Sequence, residues 1–318
     1  MSARADPRVA VVGAGGVGGY FAARLAAAGR NVSVIARGAH LEAIRSSGLR
    51  LESVAGDAVA GVTATDDPAE VGPVDVVLLA VKTWQVGEAA AASRPLLGEA
   101  TTIVPLQNGI EAADRVAAIV GSGPVLGGVA RIISYVAGPG LIRHVGGPAA
   151  IEFGELDGQA SDRLETVRAI LDVPGTRVTI SGDIRVALWE KLMFVVPFGA
   201  VGAVTRAPIG ITRALPGTRR MIDDAMREIE TVARTLGMRL ADDVPQRAWS
   251  FLDALPAAGT ASLQRDIAAG RPSEMEDWCG TVVRAGERAG VPVPVLTFIY
   301  HSLLPLESRA RGELTFVD

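Results

Sequence analysis

Lys191 is the residue whose position most calls for a chemical explanation. It lies in the helix predicted over residues 184–203, among the apolar positions Leu188, Leu192 and Val195. Because residues three and four apart share a helix face, Lys191 lies on or beside the buried stripe. Burying an ammonium group is costly, and a proton donor for a carbonyl oxygen would justify it. The alternative is a lysine that buries only its apolar stem.

Glu274 is the second candidate for chemistry. Residues 273–276 read Ser-Glu-Met-Glu, the S-x-x-E form of a capping box, with Ser273 as N-cap and Glu276 reaching back to it. Glu274 would then lie in the first helical turn, where the helix dipole favours a carboxylate. The functional interpretation is that Glu274 accepts a hydrogen bond from a substrate hydroxyl. The alternative is an acid that only complements the dipole.

A glycine-rich loop supplies a different kind of site. Gly13, Gly15 and Gly18 form a G-x-G-x-x-G pattern after the apolar run 9–12 and before a small-residue segment, 20–29. Strand, tight turn and helix follow in the order that a dinucleotide site needs, with the phosphates at the positive end of the helix dipole. The predicted cofactor-binding residues of this loop are Gly13, Ala14, Gly15, Gly16, Val17 and Gly18.

Arg37 indicates which dinucleotide the loop would bind. It closes the apolar run 31–36, at the position where a Rossmann domain reads the adenosine ribose. An acid there suits the free 2′-hydroxyl of NAD, whereas an arginine suits the 2′-phosphate of NADP. No acidic residue occurs between Asn31 and His40, which favours NADP(H). The alternative is a solvated arginine ahead of the next helix.

Polar residues also follow two further predicted strands. Lys82 ends the run 75–82, and Asn108 follows the run 101–106. Ligands bind beyond the carboxyl ends of the strands in open parallel sheets, so both side chains would line the cofactor crevice. The alternatives are a solvated loop lysine and an ordinary Asn-Gly turn.

Composition limits the class of protein. The 318 residues, 49% of them hydrophobic, have a net charge of −4 with scattered basic residues, which favours two globular domains and argues against nucleic-acid binding. The single cysteine, Cys279, excludes an internal disulfide and fits a reducing compartment. Its apolar neighbours predict a core residue rather than a nucleophile. We see no secretory signal, no apolar run long enough to cross a bilayer and no His/Cys cluster for a metal, so the cytoplasm is expected.

The predicted elements divide the chain into an α/β half and a helical half. Alternating strands and helices before residue 182 predict a doubly wound parallel sheet that ends as a mixed one. We place the NADP-binding domain at 1–182 and a helical substrate domain at 183–318. The predicted strands are 9–12, 31–36, 49–53, 58–63, 75–82, 101–106, 125–133, 141–145, 149–156 and 177–181. The predicted helices of the second half are 184–203, 218–236, 244–255, 262–269, 273–289 and 294–303, before a polar, frayed end at 308–318.

Five segments in this order resemble the ketopantoate reductase (2-dehydropantoate 2-reductase) family over nearly the whole chain. They are the glycine loop 13–19, Lys-Thr-Trp-Gln at 82–85, Gln-Asn-Gly at 107–109, the run 184–192 and Ser-Glu-Met-Glu at 273–276. The resemblance implies an N-terminal Rossmann domain, a helical C-terminal domain similar to that of 6-phosphogluconate dehydrogenase, and an active site in the cleft between them.

The same resemblance implies residue roles. Lys191 would act on the substrate carbonyl as general acid, and Glu274 would engage the substrate hydroxyl. Asn108 and Lys82 would line the cofactor side, and Ser262 would contact the substrate carboxylate. NADPH would then deliver a hydride to the 2-keto group of a small 2-oxo acid while Lys191 supplies the proton. A homodimer would be ordinary for this architecture.

Three positions depart from the family pattern. Val195 and Gly199 stand where the family often has asparagines, and Cys279 stands where it often has another. Since a buried hydrogen-bonding partner strongly discriminates between substrates, the reaction type is better supported than the exact substrate. The alternatives are a paralogous NADPH-dependent reductase of another 2-oxo acid and a non-catalytic NADPH-binding sensor.

Overall fold

The computed structural model describes residues 6–316, which fall into two compact units. One unit contains residues up to 107 together with 111–184, and the other contains 108–110 together with 185 onward. The three residues 108–110 therefore pack with a part of the chain that follows them at a long distance in sequence.

The first unit is built on a five-stranded parallel sheet in the order β5-β2-β1-β6-β7. This order, which runs outward in both directions from β1, is the one expected of a Rossmann fold and confirms the predicted class. Its strands are β1 (Arg8–Val12), β2 (Asn31–Ile35), β5 (Thr63–Thr65), β6 (Val74–Leu79) and β7 (Leu97–Pro105).

Alternate residues of β1 enter two different cores. Val9 and Val11 pack into one apolar cluster, and Ala10 and Val12 into another on the opposite face. A sheet covered on both faces needs strands that are apolar throughout, which is why 9–12 reads as a continuous apolar run. The helices of this unit are α1 (Gly16–Ala27), α2 (Gly38–Ser47), α3 (Val86–Ala92), α4 (Ala112–Val120) and α5 (Asp162–Leu171).

The remaining strands form a second sheet, so the prediction of one mixed sheet is wrong. Its order is β10-β9-β3-β4, with β8 paired antiparallel to β9. The run predicted as one strand over 58–63 divides between the two sheets, as β4 and β5, because Gly61 and Val62 interrupt it. The strands are β3 (Leu49–Ser53), β4 (Ala58–Ala60), β8 (Gly127–Gly138), β9 (Leu141–Gly154) and β10 (Arg177–Ile180).

The second unit is helical, and among its described residues no strand occurs. Its apolar cluster is centred on α6 and α8, the latter with buried positions such as Ile222, Met226 and Ile229 at helical spacing. Its helices are α6 (Ile184–Thr205), α7 (Ile209–Thr212), α8 (Pro216–Thr235), α9 (Val244–Ala254), α10 (Ser262–Ala268), α11 (Thr281–Ala289) and α12 (Pro294–Ala310).

Helix α6 is long and apolar enough, by length and composition alone, to cross a membrane, with a mean hydropathy of 1.5. The expectation that no such run exists therefore needs correction. Of its most apolar 18-residue window, 67% is buried inside the protein. Its buried residues, such as Leu192, Met193 and Val196, belong to the apolar core of the second unit, so its hydropathy is that of a core helix.

The end of the chain is more ordered than its polar composition suggested. Helix α12 continues to Ala310, beyond the predicted end at residue 303. Its last turns are anchored by Glu307, which is only 4% exposed and pairs with Arg311. The helix therefore includes residues 308–310 of the segment predicted to fray, whereas residues 311–316 form no helix or strand, and the final two residues, 317–318, lie outside the described part.

Candidate functional site

The glycine loop between β1 and α1 has the geometry of a phosphate cradle. Gly13 adopts a φ of +98° beside the backbone of Ala80 and Val81, where a Cβ would approach to 2.9 Å. Gly18 packs so closely that its Cβ would lie 2.0 Å from the Gly13 carbonyl oxygen. By contrast, nothing lies within 4 Å of a Cβ built at Gly15. The loop is therefore open only at the glycine from which α1 begins, and the residues present fit a dinucleotide pyrophosphate.

Gly16 is required for a reason that the pattern did not reveal. A Cβ there would lie 2.5 Å from the carbonyl oxygen of Ser134, on β8. Gly16 therefore lets the first turn of α1 approach the backbone of the second sheet. The motif assigns no role to this position, so only the packing of β8 against α1 could identify it.

Arg37 and Lys82 both lie at carboxyl ends of the parallel sheet. Arg37 is the N-cap residue of α2, and its guanidinium Nη2 lies 2.8 Å from Glu88 Oε1 on α3. Both side chains of this pair are about two-thirds exposed, at 68% and 66%, so the pair is worth little energy and an anion could displace Glu88. The Lys82 ammonium lies 5.7 Å from the centre of the Trp84 ring.

Gln107 joins the ends of two strands at the same edge. Its amide Nε2 donates to the carbonyls of Leu79, at 2.9 Å, and Val81, at 3.1 Å. Its Oε1 is buried and accepts no hydrogen bond from the described residues. Gln107 therefore holds the carboxyl end of β6, from which Lys82 follows, and its contribution was visible in the sequence only as a polar residue after a strand.

In the helical unit, Asn108 and Glu274 are brought together. The Asn108 amide Nδ2 donates to Glu274 Oε2 at 3.1 Å, although the two residues are 166 positions apart. Gly109, with a φ of +96°, lies so close to the Asp277 carbonyl that a Cβ would be 2.8 Å away. The Asn-Gly turn is therefore real, and it serves to place Asn108 against Glu274, which is only 7% exposed.

The predicted capping box at 273–276 is wrong. The Ser273 N–H donates to Glu307 at 3.0 Å instead of to Glu276. The Glu276 carboxylate accepts from the Tyr300 hydroxyl, at 2.7 Å, and from Arg284. A carboxylate forms a stronger hydrogen bond with a charged donor such as Arg284 than with a neutral backbone N–H. In addition, the segment Glu276–Gly280 is a π-helical turn rather than regular α-helix. Such turns occur frequently at functional sites, and this one begins two residues after Glu274.

Lys191 is 8% exposed on α6, so it is buried as its position on the apolar stripe predicted. Two turns further along the same helix, Gly199 lies against Trp278, whose ring carbon Cζ3 would be 2.6 Å from a Cβ at that position. The same Cβ would lie 3.4 Å from Ala261, which caps α10 immediately before Ser262. Helix α6, the start of α10 and the π-helical turn therefore meet at Gly199.

Burial determines the protonation states of two groups at the π-helical turn, Cys279 and the Tyr300 hydroxyl that bonds to Glu276. Complete burial raises the pKa of the Cys279 thiol to about 12, with a further contribution from Glu276. Burial, followed by its hydrogen bond to Glu276, raises the pKa of Tyr300 to about 12. Both groups are therefore protonated at neutral pH. Cys279 is a core residue, as predicted, and not a thiolate nucleophile.

The structure thus gathers the predicted site residues into two groups. The first unit presents the glycine loop, Arg37 and Lys82; the helical unit presents Asn108, Lys191, Ser262 and Glu274. Within residues 6–316, no group of three or more His, Cys, Asp or Glu side chains is arranged to hold a metal ion. The two groups supply an anion cradle, a buried cation and a buried carboxylate.

Comparison with known proteins is consistent across both units. A family model described as "Ketopantoate reductase PanE/ApbA" matches residues 9–158, and the corresponding C-terminal model matches 183–307. The 2-dehydropantoate 2-reductase of Mesorhizobium japonicum is 33% identical, over 91% of this chain and 94% of that protein. A crystal structure of a PanE/ApbA family ketopantoate reductase from Ralstonia eutropha JMP134 superposes with a TM-score of 0.88, at 33% identity, covering 96% of this chain and 99% of that one. The 2-dehydropantoate 2-reductase of Geobacter metallireducens GS-15 gives a TM-score of 0.88 at 31% identity, with coverage of 93% and 99%.

Proposed function

Because the chain belongs to the ketopantoate reductase PanE/ApbA family of oxidoreductases, we propose that it reduces 2-dehydropantoate to pantoate with NADPH. The reaction adds a hydride to the keto carbon and a proton to the keto oxygen, and it oxidises NADPH to NADP⁺. The bound dihydronicotinamide supplies the hydride. The protein supplies binding, orientation, charge stabilisation and the proton.

The first unit would bind the cofactor through three features. The backbone N–H groups from Gly15 to Gly18 would face the pyrophosphate, because the first turn of α1 leaves them without helical partners, whereas the Gly13 N–H donates to the carbonyl of Ile35 at 3.0 Å. Arg37 would exchange Glu88 for the 2′-phosphate, which offers more oxygen acceptors and a higher charge than a single carboxylate. Lys82 would add a second positive charge at the carboxyl end of β6. This arrangement favours NADPH over NADH.

The helical unit would bind and activate the 2-oxo acid. The Lys191 ammonium donates a proton to the keto oxygen as negative charge develops there, and its burial strengthens that interaction. Glu274 accepts a hydrogen bond from the substrate hydroxyl, while Asn108 holds the carboxylate of Glu274 in position and contacts the cofactor side. Ser262 donates to the substrate carboxylate.

The observation that carries the proposal is the burial of Lys191 in the same unit as the Asn108–Glu274 pair. Lys82 and Lys191 are the chain's two lysines, against 29 arginines. Arginine stays protonated in proteins, whereas lysine can release a proton. A lysine ammonium, which can release its proton, therefore occurs at only two positions in the chain, and both are proposed site residues.

The experiment that tests this assignment is Lys191→Arg. The guanidinium keeps the positive charge, but it does not release a proton as a lysine ammonium can. We therefore expect the kcat for 2-dehydropantoate to fall by roughly 100-fold or more. Glu190→Gln, at the preceding position of α6, is the matched control, because the Glu190 side chain pairs with Arg247. A kcat for Lys191→Arg within about threefold of the wild type would remove Lys191 from proton transfer.

A paralogous reductase of another 2-oxo acid is the second candidate, and the Gly199–Trp278 contact favours it. The indole occupies the space that a side chain at position 199 would fill, so an apolar wall stands where relatives of the proposed type would offer an amide. Steady-state rates with 2-dehydropantoate and with branched 2-oxo acids that lack its hydroxyl would separate the two. Preference for the latter acids would favour the paralogue, and tight NADPH binding without turnover of any of them would favour a sensor.

We also propose the biological setting that this activity implies. Reduction of 2-dehydropantoate supplies pantoate for pantothenate synthesis, a cytoplasmic process with a small-molecule substrate and no nucleic-acid or membrane partner. A homodimer is the oligomeric state that we propose. Light scattering at several protein concentrations tests the last point, and a constant monomer mass would contradict it.

A further inference from the structure

His40 connects three separate segments of the first unit. It lies in the first turn of α2, three residues after Arg37. Its ring Nε2 lies 2.9 Å from the carbonyl oxygen of Ala14, within the glycine loop. Its ring Nδ1 lies 3.0 Å from the backbone N of Gly140, in the turn between β8 and β9.

These two contacts determine the tautomer of the ring. A carbonyl oxygen only accepts and a backbone N–H only donates, so Nε2 must carry the proton and Nδ1 must be the acceptor. His40 is therefore the Nε2–H tautomer, with both ring nitrogens used. No rotation or other tautomer of the ring satisfies both neighbours.

The bond to Ala14 has a consequence for the residue that follows. The peptide unit between Ala14 and Gly15 is planar and trans, so its carbonyl and its N–H point in opposite directions. A histidine that holds the Ala14 carbonyl on one side thereby directs the Gly15 N–H to the other. Gly15 is the loop glycine with open space around it, the place where a phosphate can approach.

We propose that His40 is a positioning residue of the dinucleotide loop, which holds the Ala14 carbonyl so that the Gly15 N–H is presented to the cofactor's phosphates. This inference rests on the proposed function, because it takes the loop to be a dinucleotide site. Since the pyrophosphate is common to NADPH and NADH, the contribution of His40 is the same for both. Arg37, by contrast, contributes only to NADPH.

The test compares equilibrium dissociation constants for NADPH and NADH, measured by fluorescence in four variants. His40→Ala removes both hydrogen bonds, and His40→Asn retains a group only near the Nδ1 position. His40→Gln places an amide N–H near the Nε2 position and so preserves the donor to Ala14. Glu42→Ala is the matched control, an exposed residue two positions along α2.

We expect His40→Ala and His40→Asn to weaken NADPH and NADH equally, by about 3- to 10-fold, the usual effect of one neutral hydrogen bond. His40→Gln should restore most of the affinity, and the KM for 2-dehydropantoate should not change. A purely structural histidine would instead lower the melting temperature without this pattern. Weakening of NADPH alone, or equal affinities for His40→Asn and His40→Gln, would overturn the proposal.

A measurement on the wild-type protein is independent of cofactor binding. The chain has three histidines, so long-range ¹H–¹⁵N spectra resolve each ring. We expect His40 to show a single Nε2–H tautomer whose ring proton exchanges slowly. A mixture of tautomers would overturn the positioning role even if NADPH binds tightly. Conversely, failure of the wild type to bind either nucleotide would refute the proposed function while the tautomer still decides whether His40 holds the loop.

Discussion

Replacing Asn108 with alanine removes the hydrogen bond that holds Glu274. The bond is 3.1 Å long, it reaches a carboxylate that is 7% exposed, and its donor comes from a loop 166 residues away. The methyl group of alanine cannot donate a hydrogen bond in place of the amide. We therefore expect the loss to appear in substrate binding and turnover rather than in the fold of α10 or α11.

The size of the effect follows from the kind of bond. Hydrogen bonds to charged groups contribute about 1.5–3 kcal/mol, which corresponds to about 10- to 150-fold in an equilibrium or rate constant. Asn108→Asp should be worse, because two carboxylates about 4 Å apart repel by about 4 kcal/mol at an effective dielectric constant of 20. One carboxyl of that pair would then keep a proton, so the activity of Asn108→Asp should rise as the pH falls.

The assay is kcat/KM for 2-dehydropantoate at saturating NADPH, measured from pH 5.5 to 8.5. Asn31→Ala is the matched control, because Asn31 is the chain's other asparagine and is exposed at the start of β2. A kcat/KM for Asn108→Ala within threefold of the wild type would show that Glu274 does not depend on this bond. A flat or alkaline-shifted profile for Asn108→Asp would refute the charge argument.

Three other consequences concern stability and reactivity. Gly199→Ala should lower the melting temperature by roughly 2–12 °C, since overpacking against Trp278 costs about 1–3 kcal/mol and each kcal/mol is worth about 2–4 °C. Calorimetry measures this change, and adding Trp278→Leu should restore part of the lost melting temperature. Burial lowers the pKa of His144 from its ordinary value of 6.5, so the native state binds a proton at this ring more weakly than the unfolded chain does. The free energy of unfolding should therefore fall as the pH drops below about 6.5, and thermal melts at pH 7.5 and 5.5 should show a smaller loss for His144→Asn. Cys279 should not react with a thiol reagent at pH 8 until the protein is denatured, because the thiol is buried with a pKa of about 12; prompt labelling of the native protein would contradict its assignment to the core.

The sequence was most informative where a requirement is local. A tight turn at Gly13 and close packing at Gly18 are backbone requirements that only glycine meets, so the spacing of the loop was enough to predict its shape. Apolar runs and helical periodicity similarly predicted the parallel sheet and the helical half, because each element must bury its own face. The burial of Lys191 followed from the same periodicity.

What the tertiary structure alone decided is which distant residues become neighbours. The pairing of Asn108 with Glu274, the replacement of Glu276 by Glu307 as partner of Ser273, and the placement of Trp278 over Gly199 all join separate segments. The hold of His40 on the glycine loop is of the same kind. Such contacts depend on how elements pack and on which of several donors reaches a carboxylate first, and neither periodicity nor motif spacing carries that information. Short stretches of sequence determine local backbone geometry. The polar partners within the site depend instead on which of several groups the folded chain brings within hydrogen-bonding distance.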